Sequence, residues 1–131
     1  MCIFCQMING EIPVTPIWES DDVFVFLDQN PVNFGHCLVV PKKHYENIEE
    51  TPEEVLKLIS GAIKIVGKKI KNNLGYDGYN VVVNNGEVAG QEVMHTHWHV
   101  IPRTKAGEAI WPEHKKYSEE EKEETIKKLK K

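Results

Sequence analysis

The segment TPEEVLKLISGAIKIVGKKIKNNLG, residues 51–75, restricts the possible folds more than any other stretch of this chain. Val55, Ile59, Ala62, Ile63, Val66 and Ile70 recur at helical spacing and make one apolar stripe. A helix with one such stripe has to bury it against another element. Thr51 and Glu54 fit a capping box, Pro52 suits the first helical position and Gly75 suits the C-cap. Lysines and asparagines in the last turns suit the negative end of the helix dipole. Around this helix the apolar runs are short and strand-like: Ile17-Trp18, VFVFL at 23–27, HCLVV at 36–40, YNVVVN at 79–84 and HTHWHVI at 95–101. Pro31, Asn33 and Gly35 mark one turn, and NGEVAGQE is a Gly-containing loop before the last run. Residues 3–9 fit a short amphipathic helix ending at Asn9-Gly10. A terminal helix starts near Ser118, where Glu121 completes a second capping box. Short connections favour antiparallel pairing. The expected class is α+β: an antiparallel sheet of about five strands, one long helix packed on it, and a C-terminal helical tail. Neither a repeat nor a linker divides the chain. The expectation is one domain over 1–131, with a core over about 1–104 and a tail over 105–131.

Composition removes several function classes. The net charge of -4 argues against nonspecific binding to nucleic acid or to a membrane surface. No apolar run approaches the ~20 residues that span a bilayer. The start, MCIFCQMINGEIP, lacks a basic region followed by a long apolar stretch, so it does not read as a secretory signal. Three cysteines are too few for a disulfide framework, and a reducing cytoplasm is the expected location. GxxxxGK[ST] is absent, which removes a P-loop NTPase.

Three of the six histidines, His95, His97 and His99, fall at alternate positions. On a strand they share a face with Ile101, spaced ~6.6 Å apart, while Met94, Thr96, Trp98 and Val100 face the other way, toward helix or core. Three readings compete. The row is a solvated polar face; or two imidazoles hold a catalytic metal, which needs a third ligand and an open position; or a neutral imidazole attacks phosphorus while its neighbours bind phosphoryl oxygens.

HTHWHVI resembles the motif of the histidine-triad (HIT) nucleotide hydrolases. The resemblance extends through CIFCQMINGEIP at 2–13, VFVFLDQNPVNFGHCLVVPKKH at 23–44, YNVVVNNGEVAGQEVMHTHWHVIPR at 79–103 and WPEHKKYSEEE at 111–121. It implies that His97 is the nucleophile, attacking the α-phosphorus of a nucleotide to give a nucleotidyl-imidazole that water then hydrolyses. It implies phosphate contact by His99 and an approach to the catalytic ring by His36. Asn84, Gly90, Gln91 and Glu92 fall at phosphate-end binding positions. Ile3, Phe4, Met7 and Phe26 are implied as contacts to a base, expected to be a purine in an AMP-containing nucleotide, and Asp28 as the ribose contact. Spacing alone makes those apolar residues core and Asp28 a strand-ending turn residue. Cys37 reads as a small core residue. Thr96 and Trp98 stand where aliphatic residues are typical. Glu92 stands where many relatives have Ser or Thr: ionised it repels a polyphosphate, protonated it donates to a leaving group, and turned outward it does neither.

Cys2 and Cys5 form a CxxC that reads as a redox pair, as two inert thiols or as half a zinc site. The resemblance implies that His44 and His95 complete a closed, structural zinc site, with no metal required for the chemistry. It also implies a homodimer, with the long helix and YNVVVN as interface candidates and the WPEHKK tail against the partner's site. His114 in that tail reads as a surface histidine. The leading function is hydrolysis of a nucleoside phosphoramidate or a dinucleoside polyphosphate, releasing a nucleoside monophosphate. A nucleotide-binding adaptor with little turnover and a catalytic-zinc hydrolase are the alternatives.

Overall fold

The computed structural model describes residues 2–131. Five strands form one antiparallel sheet in the order β1-β2-β3-β5-β4: β1 (Trp18–Glu19), β2 (Val23–Leu27), β3 (Cys37–Pro41), β4 (Gly78–Val83) and β5 (Trp98–Arg103). Three helices accompany it: α1 (Ile3–Ile8), α2 (Glu53–Leu74) and α3 (Glu119–Lys130). Among the described residues no helix is long and apolar enough to cross a membrane. The α+β architecture with a long helix on an antiparallel sheet is the one expected from the apolar patterning.

Strand parity divides the core in two and decides where chemistry can sit. Val23, Val25 and Leu27 of β2, Cys37 and Val39 of β3, and Trp98 and Val100 of β5 meet Ile59, Ala62, Val66 and Ile70 of α2. The intervening residues Phe24 and Phe26, with Leu38 and Val40, form a second cluster with Phe4 and Met7 of α1 on the opposite face. Because side chains alternate, VFVFL is buried on both faces. In the β3–β5 register Val100 pairs with Cys37 and His99 with Leu38. His99 therefore belongs to the face away from α2.

Details at the element ends depart from the sequence pattern. The expected capping box at α2 is absent: Pro52 is the N-cap, without a side-chain cap. The Thr51 hydroxyl instead donates to the Asn47 carbonyl at 2.8 Å, so the preceding turn consumes it. Gly75 does cap the helix, with φ 79°. At α3 the Ser118–Glu121 box is complete. Mid-helix Gly67 has a packing reason that periodicity hides: a Cβ there would collide with the Tyr79 ring. β5 starts at Trp98, later than the run HTHWHVI suggests. Ahead of it the Thr96 N–H donates to the Tyr45 carbonyl at 2.7 Å, outside the ladder.

Thr96 is fully buried, and among the described residues its hydroxyl is the buried side-chain group with no hydrogen-bond partner. Leaving such a group unsatisfied costs about 1–3 kcal/mol, and Val has nearly the same shape. Thr96→Val should thus raise unfolding free energy by about 1 kcal/mol, read as a higher urea midpoint at unchanged slope. A lower midpoint would show that the hydroxyl has a partner in solution.

Candidate active site

On the face away from α2, His36 lies just before β3, Asp28 just after β2, His99 within β5, and His97 just ahead of it. Asp28, His97 and His99 border a cavity of about 630 Å³. Of the expected binding residues, Ile3, Phe4, Met7, Phe26, Asp28, Asn84, Gly90 and Glu92 line it, together with His97 and His99. Two expected residues do not. His36 is fully buried behind His99, with its Nε2 3.0 Å from His99 Nδ1. Gln91 is buried, and its side chain is committed to backbone. Its Oε1 accepts from Gly86 N–H (2.8 Å), and its Nε2 donates to the carbonyls of Glu46 (2.6 Å) and Val93 (3.1 Å). Gln91 thus braces the loop whose Asn84, Gly90 and Glu92 reach the cavity.

Hydrogen bonds fix the tautomer of each ring. The Val32 N–H donates to His36 Nδ1 at 3.0 Å, so His36 carries its proton on Nε2. That proton is donated to His99 Nδ1, which leaves His99 with Nε2–H as a donor. His97 runs the other way: its Nδ1 lies 2.8 Å from the His95 carbonyl and donates to it, so Nε2 keeps a free lone pair. His95 Nε2 donates to the Pro41 carbonyl at 2.8 Å, and its Nδ1 lone pair faces away from the cavity group, toward Cys2 and Cys5.

Burial keeps these rings neutral. It pushes His36 down to about 3 and His99 down to about 4, with neighbouring imidazoles adding to the effect. His97 is lowered by burial, partly offset by its bond to the His95 carbonyl and by the charges of Asp28 and Glu92. Asp28 is raised by burial, partly offset by the Asn30 N–H that its Oδ1 accepts at 2.9 Å. Its Oδ2 lies 3.5 Å from His36 Nε2 and 3.8 Å from His99 Nδ1. With both rings neutral these are polar contacts, not ion pairs.

An unfolded imidazole titrates near ~6.5, well above the folded His36, so below that pH the unfolded chain binds more protons. Stability present above pH ~6.5 is therefore lost as pH falls toward the folded value. The denaturant midpoint should drop between pH about 6.5 and 4.5. His36→Asn should flatten that drop by up to about 1.4 kcal/mol per pH unit. An equally steep fall in the variant would contradict a neutral, buried His36.

A second group stands beside the first. Donor atoms of Cys2, Cys5, His44 and His95 all lie within 4.8 Å of one another. His95 Nδ1 is 3.4 Å from Cys2 Sγ, 3.5 Å from Cys5 Sγ and 3.1 Å from His44 Nδ1. Tetrahedral zinc with N and S ligands at about 2.0–2.3 Å needs donors about 3.3–3.8 Å apart, which this set approaches closely. The burial of His95 and the tautomer set by Pro41 leave the ring aimed at that point.

The tail, which the resemblance put against a partner's site, reaches the cavity of its own chain. Trp111 and His114 line the cavity of their own chain, with the Trp111 ring centroid 4.8 Å from that of His99. Both ends of this segment are clamped. Arg103 donates to the carbonyls of Ala109 (2.9 Å) and Ile110 (3.0 Å). Beyond it, the Lys115 N–H donates to the Pro31 carbonyl (2.8 Å). Tyr117 accepts from the Gly35 N–H (2.8 Å) and stacks on Phe34. Nothing in the local sequence separates His114 from a surface histidine; the clamps are long-range.

Comparison with known proteins agrees with this geometry. The sequence pattern of the HIT domain matches residues 9–106. An uncharacterized HIT-like protein of Methanocaldococcus jannaschii is 57% identical over 104 residues, 79% of each chain. The adenylylsulfatase HINT3 of Arabidopsis thaliana is 41% identical over 84% of this chain and 55% of its own length. The adenosine 5'-monophosphoramidase HNT1 of Candida albicans is 36% identical over 85% of this chain and 78% of its own. Among solved structures, a hypothetical histidine triad nucleotide-binding protein of Sulfolobus tokodaii superposes with TM-score 0.88 at 34% identity, covering 98% of this chain and 89% of its own. A Zn-bound histidine triad family protein of Mycobacterium smegmatis superposes with TM-score 0.84 at 30% identity, covering 98% and 92%.

Proposed function

Because this chain belongs to the HIT domain family, we propose that it is a nucleotidyl hydrolase working through a covalent nucleotidyl-His97 intermediate. One observation carries the reading: His97 donates Nδ1–H to the His95 carbonyl and so keeps a free Nε2 lone pair beside a nucleotide-sized cavity. In the first step Nε2 bonds to the α-phosphorus while the bond to the leaving group breaks. The Nδ1–H stays on the His95 carbonyl, which stabilises the positive charge the ring acquires. Water then attacks phosphorus, the P–Nε2 bond breaks, and a nucleoside monophosphate leaves. His99 Nε2–H donates to a phosphoryl oxygen, and His36 fixes that donor through His99 Nδ1.

The remaining assignments belong to the same reading. Ile3, Phe4, Met7 and Phe26 hold the base, an AMP-type purine in this reading, and Asp28 accepts from the ribose hydroxyls. Asn84, Gly90 and Glu92 border the phosphates, and Gln91 serves them by bracing their loop. Cys2, Cys5, His44 and His95 hold a structural zinc, which ties the start of α1 to the segments after β3 and before β5 and leaves the chemistry to His97 and His99. Three cysteines without a disulfide, two of them zinc ligands and Cys37 buried, suit a reducing cytoplasm.

The chain acts as a homodimer through α2 and the edge strand β4, where Leu58, Ile65 and Val81 are exposed. The whole of 1–131 serves as one domain. Light scattering that gives a monomer at micromolar concentration would remove the dimer.

Stereochemistry at phosphorus tests the chemistry. Two displacements retain configuration when a P-chiral AMP phosphorothioamidate is hydrolysed in heavy-oxygen water. Inversion would mean that water attacks the substrate directly.

A further inference from the structure

We propose that Glu92 makes this site select substrates whose leaving group is a cationic amine and discriminate against polyphosphate leaving groups. The inference rests on the His97 reading above and names the substrate class of that site. Glu92 is an exposed carboxylate on the cavity wall, and Asp28 is a second, half-buried one. No lysine or arginine lines this cavity among the described residues. Its other ionisable groups are the imidazoles of His97, His99 and His114, none of them a fixed cation. The wall therefore carries carboxylates and lacks a fixed cation to offset them. Glu92 lines the same cavity as His97 and His99, on the loop that also presents Asn84 and Gly90.

Beyond the α-phosphate, each further phosphate brings negative charge toward these carboxylates. An amine bearing a second, ammonium group brings the opposite charge to the same place. In a partly buried cleft such charges interact more strongly than in bulk water. The reaction balances with water alone. His97 Nε2 bonds to phosphorus, the P–N bond breaks, and its electron pair goes to nitrogen, which takes a proton from water. The hydroxide so formed attacks phosphorus and releases the monophosphate from Nε2.

Two AMP phosphoramidates of equal chain length test this, one made from a diaminoalkane and the other from the matching monoamine. The parent should prefer the diamine substrate by about tenfold in kcat/KM. Glu92→Gln should bring that ratio to within about twofold, and Glu92→Lys should reverse it. Calorimetry of AMP and ATP without metal gives a second readout that needs no turnover. The parent should bind AMP more tightly than ATP, and Glu92→Gln should close the gap. Substrate and nucleotide ratios unmoved by Glu92→Gln would overturn the proposal. If no His97 adduct forms with either phosphoramidate, the hydrolase reading fails, yet the AMP-to-ATP ratio still decides the role of Glu92.

Discussion

His97→Ala should lose at least about 10⁴-fold in turnover of an AMP phosphoramidate while binding AMP nearly as well as the parent. The size of the effect comes from what the ring does. Without Nε2 the two-step path closes, and only direct attack by water within the cavity remains. Groups that bind and orient the nucleotide still supply part of the acceleration, as they do when other nucleophilic enzymes lose their nucleophile. Binding is spared because the apolar wall of Ile3, Phe4, Met7 and Phe26 does not depend on the ring. Phe4 does touch His97, ring edge to face at 5.1 Å, so the variant leaves a gap beside it. His97→Asn controls for that gap: it refills part of the space, cannot form a stable bond to phosphorus, and should be just as inactive. Turnover of either variant within about tenfold of the parent would remove His97 as nucleophile.

The second large effect concerns the four-ligand group. Chelation, or Cys2→Ser with Cys5→Ser, should lower Tm by about 10 °C or more, because a structural zinc contributes directly to folding free energy. The purified chain should carry about one zinc per protomer by elemental analysis. Loss should start at the N-terminus. Cys2 caps α1 and Cys5 lies within it. The same helix carries Phe4 and Met7, which are buried and line the cavity. Releasing it should therefore raise KM for the nucleotide more than it lowers kcat. A catalytic metal predicts the reverse, with kcat abolished and Tm nearly unchanged. Absence of zinc together with an unmoved Tm would leave Cys2 and Cys5 as inert thiols.

What the sequence could and could not reveal follows the range of each interaction. Strand alternation is local, so HTHWHVI disclosed that His97 and His99 share a side, opposite Trp98 and Val100, which pack in the core beneath α2. The Gly75 cap and the Ser118–Glu121 box are also local, and both form. The α2 start misled because Thr51 had a competing acceptor, the Asn47 carbonyl, that spacing rules do not weigh. Gln91, which the resemblance put at a binding position, has its side chain held by the Glu46 carbonyl, a partner far away in the chain that local patterns do not show. The resemblance put the WPEHKK tail against a partner's site; that Trp111 and His114 line the cavity of their own chain was not legible, because the tail's course is set by Arg103, Pro31 and Gly35. Assignment of the four donors as one group depended on the family resemblance; CxxC alone supported three readings.

The central chemical step can be caught directly. The parent is mixed with an AMP phosphoramidate, quenched in the millisecond range under conditions that preserve P–N bonds, digested, and analysed by mass spectrometry. The expected result is an adenylyl group on the peptide containing His97, rising and decaying with turnover and missing from His97→Ala. Full turnover with no adduct at any quench time, or an adduct on another side chain, would contradict it.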